Sequence, residues 1–167
     1  MDPDYEHIAG GAPPSHQEVL PKKATIRECV NMMAKLKIIL SLVFAIVGYF
    51  LGIVADATHY TELPIFPAAC FTKILLFLIA VPLANSAGKN IRKELNINGI
   101  PGLRFTSWIM YGVAIVHFIL FFQWELISAQ PGNIQLPDGQ ITIDSAIFFL
   151  ASMFMIAEAW NSYKSKG

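Results

Sequence analysis

Three ionisable residues interrupt otherwise apolar runs of this chain: Lys73, His117 and Glu158. A charge held away from water is costly unless it is paired, so such residues are the first candidates for anion, proton or ion chemistry. Lys73 would attract anions, and His117 can relay a proton or bind a metal or haem. Asp56, His59, Glu62, Glu125 and Asp144 fall near the same ends of their runs, so together they would form a polar vestibule for a small solute, an ion or haem. Glu158, towards the other end of the last run, completes the candidate polar set. Each residue also has a structural role open to it. The long stem of Lys73 can lift its ammonium to a membrane surface, and this is its expected behaviour. His117 can stay neutral on a backbone or hydroxyl partner, and Glu158 can form a boundary salt bridge with Lys35, Lys37 or Lys164.

No other constellation points to chemistry. His59 and His117 lack the close helical spacing of a metal or haem pair. There is no Cys-x-x-Cys, no His-x-x-x-His, no His-Glu-x-x-His and no glycine-rich phosphate loop, so neither an enzyme nor a bound cofactor is expected. Formal net charge is zero, which gives the chain no overall electrostatic footprint for nucleic acid.

The elements that must position these residues are apolar helices. Hydrophobic residues make up 54% of the 167 and charged residues 14%, more apolar than a soluble domain of this length. Between Lys37 and Asp56 lie 18 residues without a charge, enough to cross most of a hydrocarbon core about 30 Å thick. The small residues Ser41, Ala45, Gly48, Gly52 and Ala55 in this run recur at steps of four and three. They form one stripe, with a Gly-x-x-x-Gly pair, where another helix can approach closely. Similar runs follow at 66–86, 105–124 and 145–163, with Pro82 expected to kink the second by leaving the Leu78 carbonyl without its helical donor.

The expected fold is an all-α membrane protein, a bundle of four transmembrane helices with spans at about 38–55, 66–86, 105–124 and 145–163. Residues 1–24 read as a flexible cytosolic tail, 25–163 as one membrane domain and 164–167 as a second tail. Thr25 and Glu28 have capping-box spacing and mark a helix start ahead of the first span, and the segment that follows has an amphipathic pattern. The stretch 89–104 reads as a basic loop after a fraying helix end. In the second outer loop, Ile134 and Leu136 alternate with polar residues, Pro137, Asp138 and Gly139 supply a turn, and Ile141 and Ile143 alternate again. That is the signature of a short β-hairpin; an ordinary loop ending with Asp144 as a helix cap is the other reading.

Orientation follows from the basic residues. Eleven of the twelve Lys and Arg residues lie before the first span, between the second and third, or after the fourth. Only Lys73 remains, within a span, so both termini and the middle loop are expected to be cytosolic. Cys29 and Cys70 then lie on opposite faces and should not pair. No apolar core with preceding basic charge occupies the first 20 residues, so the first span is expected to direct insertion.

This plan resembles that of claudins, tetraspanins and MARVEL-type proteins. The resemblance is one of topology: the claudin Gly-Leu-Trp with paired loop cysteines and the tetraspanin Cys-Cys-Gly are absent. The small-residue stripe without a catalytic set leads to the expectation of an accessory, scaffold or trafficking component, in the plasma membrane or an endomembrane. Its partners would be membrane lipids, other membrane proteins or further copies of itself. The alternative is a transporter or channel using Lys73, His117 and Glu158.

Overall fold

The apolar runs fold as four helices: α1 (Val19–Thr58), α2 (Ile65–Leu95), α3 (Pro101–Ser128) and α4 (Gln140–Lys164). The computed structural model describes the backbone of residues 19–58, 65–128 and 140–165, and side chains over 28–57, 68–120 and 141–165. Each helix is long and apolar enough to cross a membrane. The helices outrun the apolar stretches that predict them, because helical hydrogen bonding continues through flanking polar residues wherever no breaker stops it. Thus α1 begins at Val19, six residues before the start expected at Thr25.

Likewise α2 continues through Lys89–Leu95, where a loop was expected, and stops at Asn96. Asn96 has φ 55°, the left-handed conformation that ends helices, and the Ile97 amide donates back to the Arg92 carbonyl at 3.1 Å. Pro101 then opens α3, a position where its missing amide hydrogen is not needed.

The expected hairpin is corrected in its second half. Ile141 and Ile143 lie in α4, which starts at Gln140 instead of Ser145; Ile134 and Leu136 lie outside the described residues. On a strand the two isoleucines would share a face, whereas on a helix they point about 200° apart. Ile141 is buried and Ile143 half exposed, as the helix requires. Asp144 consequently sits inside α4 and is not its cap.

Partner numbering fixes the topology. Ser41 meets Ala80 and Lys37 meets Ser86, so α1 and α2 are antiparallel. Ser107 meets Ala151 and Arg104 meets Glu158, so α3 and α4 are antiparallel. Lys73 meets Asp144 and Arg92 meets Glu158 in the same chain order, so α2 and α4 run parallel. Helix α4 is central, touching the other three; α3 packs on α4, meets α2 only slightly and does not reach α1 among the described residues.

The interior is a seam of small residues with a few aromatic plugs. Ala45, Ala80, Ala84, Ala87, Ala114, Ala151 and Ala159 are fully enclosed, and Phe77 stacks on Phe148 with ring centroids 5.2 Å apart. Small side chains let helix axes approach and multiply dispersion contacts, the main cohesion available between helices in an apolar medium. The outside is apolar too: Phe50, Leu75, Phe105, Val116, Ile119 and Leu120 are all exposed. An apolar exterior of this extent needs a cover other than water.

Candidate functional site

The buried charges concentrate between α2 and α4, at two levels. At the first, Lys73 Nζ lies 3.0 Å from Asp144 Oδ1, and both side chains are fully enclosed. The Ser145 hydroxyl has two acceptors for its one proton, the Ile141 carbonyl at 2.8 Å and the same carboxylate oxygen at 3.2 Å. Close by on the neighbouring helix pair, Thr142 donates to Asp56 of α1 at 2.9 Å. The expected lifting of Lys73 to a surface therefore does not occur. Helical continuation through Ile141–Ile143 turns Asp144 inward, and an adjacent carboxylate removes the need for water.

At the second level, Arg92 places Nη1 between the two carboxylate oxygens of the fully buried Glu158. Arg104 approaches the same carboxylate with Nε at 3.8 Å, and Ser162 lies one turn further along α4 at 3.5 Å. Glu158 thus pairs with arginines of α2 and α3, not with Lys35, Lys37 or Lys164. Lys37 donates instead to Ser86 at 3.2 Å. The loop 96–100 closes over the pair, and Gly99 matters there twice. Its φ of 65° favours glycine, and a Cβ at that position would run into the Glu158 carboxylate. Gly88 is similarly constrained, since a Cβ would come within 2.8 Å of Arg92 Nη1 and 2.9 Å of Glu158 Oε2.

The stripe Ser41, Ala45, Gly48, Gly52 and Ala55 is buried along its whole length, against α2 and α4 of the same chain. A Cβ on Gly48 would come within 3.1 Å of the Phe77 ring, and one on Gly52 would collide with Ser145. Midway along α2, the Leu78 carbonyl that Pro82 deprives of a helical donor accepts a long hydrogen bond from Tyr111 of α3, at 3.4 Å. Ser41 reaches the Ala80 carbonyl at 2.7 Å in the same region.

His117 lies half-buried on α3, at the edge of a shallow apolar groove that includes Trp108, Ile109, Gly112, Val116 and Leu120. Glu125 is part of α3, with its side chain outside the described residues, as are His59 and Glu62. Among the described residues no cluster of His, Cys, Asp and Glu could hold a metal ion. Cys29 is exposed, Cys70 is buried, and the two are not joined in a disulfide. Sequence reasoning missed Arg92 and Arg104 because it placed both in or at the edge of a loop. The signal was available in the helix-compatible run Lys89–Leu95, ended by Asn96.

Compared with protein-family models, curated proteins and solved structures, the chain finds no match.

Proposed function

We propose that this chain is a small integral membrane protein whose four helices cross the bilayer, with both termini and the loop 96–100 cytosolic. In this reading it serves as an accessory, scaffold or trafficking component that binds other membrane proteins or lipids. One observation carries the choice over a transporter: Lys73, Asp144 and Glu158 are fully enclosed and engaged in ties between helices. A residue on a solute pathway must meet water or solute at some stage of the cycle. An enclosed ion pair between parallel helices instead fixes their register, as buried polar groups do in other helix assemblies. The stripe on α1 is likewise engaged inside the bundle, so partners would meet the outer surfaces, foremost α3. Only 11% of the apolar stretch of α3 is buried, against 50% of that of α4.

The test pairs two measurements on the wild type and on a Lys73→Met, Asp144→Leu double variant. The accessory reading expects the same membrane proteins to copurify with both in mild detergent, and equal proton and ion permeability of vesicles containing either. A flux carried by the wild type and abolished in the double variant would establish the transporter instead.

A further inference from the structure

The end of the bundle that holds Glu158 carries more positive charge than its own acids neutralise. Arg92 and Arg104 converge on a single carboxylate, which leaves the cluster with one net positive charge. Arg92 is the close partner, whereas Arg104 stands further off, is 31% exposed and otherwise donates only to the Asn98 carbonyl, at 3.3 Å, among the described contacts. Lys89 and Lys93 are exposed on the last turns of α2. At about 100° per residue, Lys89 falls about 20° from Leu78 and Lys93 about 20° from Pro82. Leu78 is the residue whose carbonyl meets Tyr111, so Lys89 is on the α3 side of α2 and Lys93, about 60° from Leu78, borders that side. Arg104 precedes Tyr111 by two helical turns and lies on the same side of α3. Three cations thus border the mouth of the cleft between α2 and α3, helices whose mutual contact is slight. Glu94 is turned about 100–140° around α2 from the two lysines.

An apolar groove starts at the same place. Trp108 follows Arg104 by one turn, and from it the groove runs past Gly112 and Val116 to Leu120, about 18 Å along α3, turning from about 60° to about 180° away from Tyr111 and so onto the outer face of the helix. At Gly112 the groove is open, since a Cβ there would have no neighbour within 4 Å.

We infer that the mouth of this cleft binds an anionic phospholipid, with its phosphate at Arg104, Lys89 and Lys93 and an acyl chain along the groove on the outer face of α3. Lys89, Lys93 and an Arg104 that shares the Glu158 carboxylate with the closer Arg92 leave an excess of positive charge, which selects a headgroup of net negative charge over a zwitterionic one, whose own cation they repel. The inference rests on the membrane reading above.

The experiment uses the full chain with Trp124→Phe and Trp160→Phe, leaving Trp108 as the reporter, in phosphatidylcholine vesicles. Chain-brominated phosphatidylglycerol should quench Trp108 at a several-fold lower mole fraction than chain-brominated phosphatidylcholine. Arg104→Gln should weaken that preference about fivefold, and Lys89→Gln with Lys93→Gln by at least as much. The lysine pair is exposed and outside the Glu158 cluster, so its effect does not depend on folding. Lys35→Gln, exposed on α1 at the same end, should leave the preference intact. Equal quenching by the two lipids, an undiminished preference in the lysine variant, or displacement by inorganic phosphate at constant ionic strength would overturn the proposal. Release of the protein from vesicles by an alkaline wash would instead contradict the membrane reading itself.

Discussion

A lysine enclosed in an apolar bundle needs a polar partner enclosed with it, and Lys73 has Asp144 at 3.0 Å. The desolvation of two ions offsets much of their attraction, so the pair contributes less to net stability than to the choice of register. The two variants that separate these effects have opposite expected outcomes. Lys73→Met alone leaves Asp144 buried without its cation and should destabilise the bundle by about 3–5 kcal/mol. Lys73→Met with Asp144→Leu removes both charges and should recover most of that loss, as read by thermal unfolding in detergent. A double variant as unstable as the single one would show that the pair itself supplies the cohesion. Neither residue revealed this pairing by type alone. Lys73 was visible as a charge in an apolar run, but Asp144 was read at a loop boundary because Ile141 and Ile143 imitate strand alternation.

At the scale of the helix, what could be read from sequence was the existence of four apolar segments and, on α1, the small-residue stripe. Those features depend on composition and on a period of three and four, which one chain displays directly. Helix ends and rotations were not legible in the same way. The end of α2 at Asn96 depends on a local left-handed turn, and the burial of Arg92 depends on where Glu158 faces, which packing decides. The structure makes the glycines of α1 and α3 unequal. Gly52→Leu would drive a side chain into Ser145 and Ile141 of α4, and should cost about 1–3 kcal/mol or prevent helix association. Gly112→Leu meets open space and should leave stability within about 0.5 kcal/mol. Comparable melting temperatures for the two variants would contradict the packing of α1 on α4.

For the molecule as a whole, an apolar outside and a small-residue inside are the reverse of what water would require of a soluble bundle, and basic residues gather at one end. By length and composition the four helices could span a bilayer, and the proposed orientation puts the Arg92–Glu158 end towards the cytosol and the Lys73–Asp144 end away from it. Cysteine accessibility tests this most directly. In a Cys29→Ser, Cys70→Ala background, single cysteines at positions 62 and 138 should react with a membrane-impermeant reagent from the non-cytosolic side only. A cysteine at position 98, in the loop between α2 and α3, should react from the cytosolic side only. Labelling of position 62 or 138 from the cytosol, or of all three positions from one side, would contradict the account.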